Sequence, residues 1–330
     1  MANLFFGHNG VYRVAGAGRK ALKPAFTTAW FLLCIMIPIS LAVLILDYSG
    51  ILSYIGRFLE PLMHYLGLSG EAALALISSV FINIYSALVV IETLDLTGRE
   101  LTILATMCFL AHNFFVECAV MKKTGSSLTK MVLLRLFSAI LAGWVLNRIL
   151  PVELGQHIHG VTAAKPALTG IGLDLAGLPA VLRTWLIETL FNVLRIFLII
   201  LGIMFIQKLL DEFGIIRLLG RIMAPLMGIF GLPEHTGYLW IVANVVGLAY
   251  GSAILIEEVR IGAVSKTDAD LFNHYAGLSH SHLEDTLLFV SIGVPLFWAA
   301  IPRLVMGILS VWIERLRRYL VRQSYRVRVE

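Results

Sequence analysis

Charge is what this chain has least of: only 14% of its residues are Asp, Glu, Lys or Arg, against 58% hydrophobic. With a mean hydropathy of +0.86, that balance excludes an ordinary water-soluble domain, in which about a quarter of the residues are charged. Cysteine is scarce as well. Cys34, Cys108 and Cys118 fall in apolar segments without CxxC spacing, which excludes a disulfide framework or a thiolate metal site and leaves buried free thiols. No GxxxxGK[ST] phosphate loop, GxSxG nucleophile elbow or HExxH zinc-peptidase motif occurs. ATP-driven pumping and hydrolase chemistry therefore lack support, and the chain is expected not to be an enzyme. The net charge of +5 does not point to nucleic acid, because the basic residues gather at the margins of apolar stretches, where they orient spans.

What the chain does have is apolar sequence approaching bilayer length, as at 30–46 and 194–210. Arg19, Lys20 and Lys23 follow a glycine-rich lead and run straight into a full span, unlike a cleaved signal sequence, so the first span is expected to be retained. The chain also repeats itself. Gly56-Arg57 and Pro61-Leu62-Met63 recur as Gly220-Arg221 and Pro225-Leu226-Met227. Tyr85 and Glu92 recur as Tyr250 and Glu257, and His112, Gly125, Arg135 and Trp144 recur as His280, Gly293, Arg303 and Trp312, all at offsets of 164 to 168. In a membrane chain, duplication of this kind is typical of transporters whose sites lie where the repeats meet.

Each half follows one plan. A long span (26–47; 185–211) leads into a short segment carrying Arg57 or Arg221 (51–66; 215–230), which is expected to lie at the interface. An apolar segment broken at its centre follows (71–94; 234–259), with the breaks at Asn83-Ile84-Tyr85-Ser86 and at 247–252. Two further spans complete each half (101–120 and 129–150; 270–290 and 296–315). The expected organisation is an N-terminal segment 1–25, repeat 26–150, linker 151–183, repeat 184–315 and a basic tail 316–330.

If the broken segments are re-entrant hairpins, the second repeat is inverted and both termini share a side. Arg13, Arg19, Lys20, Lys23, Lys122, Lys123, Lys130 and the basic tail then lie inside, while Arg57, Arg99, Arg148, Lys165 and Arg183 lie outside. Full crossing would put Lys122-Lys123 outside, against the positive-inside rule. The expected fold is thus all-α and polytopic, an inverted repeat with six crossings and two hairpins. The expected location is a bacterial inner membrane, with both termini cytoplasmic.

In this order of elements the chain resembles the nucleoside recognition, or Gate, domain superfamily, which includes concentrative nucleoside transporters, the membrane part of ferrous iron transporter B and spore maturation proteins. The resemblance covers about 26–315. Its most specific matches are Asn83-Ile84-Tyr85-Ser86-Ala87 with Glu92, Tyr250-Gly251-Ser252-Ala253 with Glu257, and the His112 and His280 segments. It implies a transport or permease-like role and fixes no substrate.

Two groups of residues carry the candidate chemistry. At the hairpin tips, Asn83, Tyr85, Ser86, Tyr250, Gly251 and Ser252 either bind a small polar solute, aided by half-helix N-termini, or only satisfy the turns. In the spans that follow, His112, Asn113, Glu117, His280, Glu284 and Asp285 form either a proton, sodium or divalent-cation site or a hydrogen-bond network pinning the repeats; helical spacing pairs Asn113 with Glu117 and His280 with Glu284. Glu92, Glu257 and His282 are weaker candidates, and Asp47 and Asp211 are expected as interfacial caps. Arg135 and Arg303, the latter after Pro302, either snorkel to the surface or neutralise the buried acids, with snorkelling the expectation for Arg135. The function this supports is an ion- or proton-coupled secondary transporter of a small polar solute, whether nucleoside-like or not being left open, with a membrane scaffold or partner subunit of Gate type as the alternative. Expected partners are membrane lipid and the solute, with a second copy or a paired subunit left open, and no nucleic acid.

Overall fold

The computed structural model describes residues 51–151 and 178–327 continuously, with scattered residues between 12 and 49, at 154 and at 157–159. The first span at 26–47, Asp47 and most of the linker fall outside the continuous description. Among the described residues the chain is almost wholly helical. Three stretches, Gly98–Lys123, Leu128–Ile149 and Leu296–Val321, are long and apolar enough to cross a membrane.

The first half begins with α1 (Ile51–Tyr65). Two ten-residue helices follow, α2 (Ala72–Phe81) and α3 (Ile84–Thr93), which pack against one another. Each is about 15 Å long at 1.5 Å per residue, half of a ~30 Å hydrocarbon core. The chain turns between them at Asn83, whose extended backbone stops α2 while its side chain accepts from Ser86 N at 2.9 Å and from the Ser86 hydroxyl at 3.0 Å, capping α3. A capping box between Thr97 and Glu100 then starts α4 (Gly98–Leu110), and α5 (Phe114–Lys123) and α6 (Leu128–Ile149) complete the half.

In the second half, α7 (Leu178–Glu212) runs into α8 (Ile215–Met223), followed by 3-10 turns at Ala224–Gly228 and Glu234–Thr236. α9 (Gly237–Ile241) continues into a π-helical stretch, Val242–Val246, which ends at Gly247 before α10 (Leu248–Arg260). Gly247 has φ +101°, a conformation that a side chain would strain, and this is what allows the break. α11 (Lys266–Ala276), α12 (His282–Val290) and α13 (Leu296–Val327) complete the chain.

The structure departs from the expected spans at two matched places. The stretches 101–120 and 270–290 are not continuous helices. The first breaks between α4 and α5 at Ala111-His112-Asn113, the second between α11 and α12 at 277–281. Each break turns on a left-handed residue that is not glycine, Asn113 (φ 50°, ψ 45°) and Ser281 (φ 50°, ψ 37°), 168 positions apart. Each of these donates its backbone N–H to the first arm of the hairpin-like segment in its own half: Asn113 to Ser79 O at 2.8 Å, Ser281 to Ala243 O at 2.9 Å. The two breaks of a half are therefore stapled together. Left-handed non-glycine residues cost energy and persist only where the surroundings fix them, commonly at functional sites.

Candidate functional site

The breaks of both halves open onto one cavity of about 460 Å³. Asn83 and Tyr85 line it from the first break and Gly247 from the second, while His112, Asn113, Glu117, His280, Ser281, Glu284 and Asp285 line it from the broken spans. α7 adds Gln207, Lys208 and Asp211 beside an apolar wall that includes Ile200 and Met204.

The two histidines, one from each half, meet. His112 Nε2 and His280 Nε2 are 3.1 Å apart, and Glu117 Oε1 lies 3.1 Å from the first and 3.4 Å from the second. Both rings are buried, and in each Nδ1 faces backbone carbonyls of the preceding helix: Cys108 O (3.0 Å) and Phe109 O (3.1 Å) for His112, Ala276 O (2.6 Å) for His280. The other oxygen of Glu117 pairs with Arg135 at 2.7 Å. Asp285, 168 positions on from Glu117, pairs with Arg303 at 3.4 Å.

Arg135 does not snorkel. It is fully buried, and its Nε also donates to Leu110 O at 3.1 Å, a carbonyl that the helix break leaves available. Arg303 acts in the same way, donating to His280 O at 3.2 Å and to the Thr286 hydroxyl, and its guanidinium lies 4.4 Å from the Phe109 ring of the other half. Each arginine thus serves a carboxylate and an unmade helix bond together, which is why neither can be drawn to the membrane surface.

Glu284 stands apart. Its partner is the Tyr85 hydroxyl, which donates to it across the two halves, and among the described residues no cation pairs with it. The expected helical pairing of His280 with Glu284 is absent because His280 precedes α12. Asn113 is likewise the residue before α5, linked to Glu117 through Glu117 N to Asn113 O at 3.1 Å.

Several expected residues lie away from the cavity. The hydroxyl of Ser86, a fully buried residue, is occupied by Asn83, and Gly251 and Ser252 sit within α10, where Gly251 permits close approach to Ala243. Tyr250 is helical, but its side chain lies outside the described residues. Glu92 pairs with Arg195 of α7, Glu257 is an exposed carboxylate paired with Arg260 at 2.6 Å, and His282 Nδ1 meets Asn244 Oδ1 at 2.6 Å. Asp211, expected as an interfacial cap, lies in the last turn of α7 and lines the cavity from there. Cys108 and Cys118 are buried as expected, but Cys34 is exposed. The contributions of Gln207, Lys208 and Arg195 escaped the sequence reading, although polar residues at helical spacing late in an apolar run were a signal for the first two.

A second polar cluster lies off the cavity, among α6, α11 and α13. Glu314 accepts from Lys130 (2.7 Å), Arg317 (2.8 Å) and Arg318 (2.8 Å), Arg318 also pairs with Asp270, and Asp270 accepts from the Ser126 hydroxyl at 2.6 Å. Asn273 donates to Thr124 Oγ1 at 2.8 Å and His274 Nδ1 faces Asp270 O at 2.6 Å, so this network ties the α5–α6 turn to the second half. The matching positions in the first half, 168 earlier, hold Thr102, Thr106 and Leu146 in place of Asp270, His274 and Glu314.

Residues 29–128 match the family model described as Gate, nucleoside recognition. The chain is 29% identical over 288 residues to the uncharacterized membrane protein YvoD of Bacillus subtilis (strain 168), spanning 87% of this chain and 90% of that protein. No solved structure matches. With its long apolar helices the chain is a membrane protein, and its residues 29–128 are similar to the nucleoside recognition (Gate) family.

Proposed function

We propose that this protein is a secondary transporter of a small polar solute, driven by a proton or another cation held at the His112, His280 and acid set, and that it is not an enzyme. The observation that carries the reading is the shared cavity. Non-helical backbone at membrane depth is tolerated only where it is buried in protein or lines a polar space, and here breaks from both halves face one space with ionisable walls. In this reading α2–α3 and 237–260 are re-entrant hairpins of an inverted repeat, with six crossings in a bacterial inner membrane and both termini cytoplasmic.

The cavity suits an amphipathic solute. Its volume lies within the ~300–1,000 Å³ of small-molecule sites, an apolar wall from α7 faces polar groups on the broken helices, and Asn83, Asn113 and Gln207 offer amides for hydrogen bonding. A nucleoside has this character, and the Gate match at 29–128 supports testing nucleosides first.

The contrary reading, a membrane scaffold, is favoured by one observation: Glu117–Arg135 and Asp285–Arg303 are compensated pairs that also pin the helix breaks. Thermal unfolding of the purified protein against a panel of nucleosides and other small polar solutes separates the two. A bound solute raises the midpoint by mass action, by about 2.7 kcal/mol of stability at 100 times Kd. A solute that stabilises the protein and is taken up by proteoliposomes under an ion gradient supports transport. A panel without effect on either measurement favours the scaffold.

A further inference from the structure

The facing histidines pose a problem that the transport reading leaves open. A carbonyl oxygen only accepts hydrogen bonds, so each Nδ1 that faces one carries the proton of its ring. A neutral imidazole has one such proton, and each Nε2 is then a bare lone pair. Two lone pairs 3.1 Å apart, with a carboxylate oxygen 3.1 and 3.4 Å from them, repel one another unless something positive lies between.

We propose that His112 Nε2, His280 Nε2 and Glu117 Oε1 are three ligands of a divalent transition-metal ion, with the Asp285 carboxylate as a neighbouring fourth group. This deepens the reading of the cavity as a cation-coupled site by naming the cation. The spacing fits. Ligands about 2.1 Å from an ion lie roughly 3.0 Å apart at octahedral angles and 3.4 Å apart at tetrahedral ones, and the three separations here run from 3.1 to 3.4 Å. Donor chemistry selects the metal class, because two imidazole nitrogens with one carboxylate suit zinc, iron, cobalt, nickel or copper, whereas sodium, magnesium and calcium prefer oxygen.

The surroundings have the form of a supporting shell. The Nδ1–H bonds to carbonyls fix tautomer and ring orientation, and Arg135 holds Glu117 Oε2 at 2.7 Å, leaving Oε1 turned to the histidines. Asp285 offers an oxygen that lies, with one nitrogen of each histidine, within 4.8 Å of the others. All four residues line the cavity, so an ion there has both an entry path and room for a solute or water ligand. Because the histidines come from opposite halves, the ion would bridge the repeats.

The test is metal binding by the purified, chelator-treated full chain, which requires no transport. Calorimetric titration with Zn²⁺ should show one site per chain. Cu²⁺ added to one equivalent should give an electron paramagnetic resonance spectrum with couplings from two imidazole nitrogens. The double variant His112→Ala/His280→Ala should lose that site, and the near-isosteric Glu117→Gln should weaken it by about 100-fold, at or beyond the range for supporting groups. His235→Ala, on an exposed histidine away from the cavity, should leave it unchanged. Wild-type protein that binds no Zn²⁺, or Cu²⁺ without two-nitrogen couplings, overturns the proposal, and so does a site that survives in the double variant. Since the spectrum is read on the wild type, a variant that fails to fold does not rescue the idea. Proton-driven uptake by protein that binds no metal would sink the metal site while leaving the transport reading intact.

Discussion

Replacing Arg135 with methionine removes the cation facing Glu117 while keeping much of the side-chain volume. The arginine side chain is 0% exposed and that of Glu117 7%, so the Glu117 Oε2 left behind is a buried oxygen without its cation. Breaking one side of a buried ion pair costs about 3–5 kcal/mol, and loss of the bond to Leu110 O adds about 1 kcal/mol. A surface-seeking arginine would cost no more than about 1 kcal/mol. Equilibrium unfolding in mixed micelles resolves the two cases. The double variant Arg135→Met/Glu117→Gln should recover much of the loss, because the stranded charge is gone, and the difference from additivity measures the coupling. Arg135→Met within about 1 kcal/mol of wild type, or a double variant weaker than the single one, would refute the buried-pair account.

Gly247→Ala should lower the unfolding midpoint by the equivalent of about 1–3 kcal/mol, because φ +101° is strained for any side chain; Gly202→Ala, in α7 with open space around the added methyl, should hold or raise it. Glu284→Gln should abolish ion-driven uptake in proteoliposomes with an unchanged midpoint, and uptake with wild-type pH dependence would remove Glu284 from coupling. A cysteine at Ala164, outside the described residues, should react with an impermeant maleimide on intact cells, whereas labelling only after permeabilisation would reverse the proposed orientation.

The parts of the fold legible in the sequence were those marked by residues out of place in an apolar run. Asn83 and Gly247 announced breaks because a polar cap or a glycine has little other use in mid-span. His112, Glu117, His280 and Asp285 stood out because ionisable groups there are costly. The breaks at Asn113 and Ser281 were not legible. No glycine or proline marks the residue that turns left-handed, and what holds it is a bond to Ser79 O or Ala243 O, more than thirty positions away. Burial of Arg135 was hidden for a related reason: its distance from a span end says how far it could reach, not which carbonyl and carboxylate await it. Glu92 and Arg195 are 103 positions apart, and nothing local to either names the other.

The second polar cluster makes the two halves alike in backbone and unlike in adhesive. Where α11 and α13 meet the α5–α6 turn, the contact is a lattice of opposite charges whose cationic members reach water, Arg317 being 56% exposed. The positions that match it in the first half hold threonines and a leucine. Charge lattices loosen as salt shortens the reach of the field, to about 8 Å at physiological ionic strength, whereas contacts between uncharged side chains do not depend on that field. Ionic strength should therefore loosen one end of the duplicated fold and leave the other as it was.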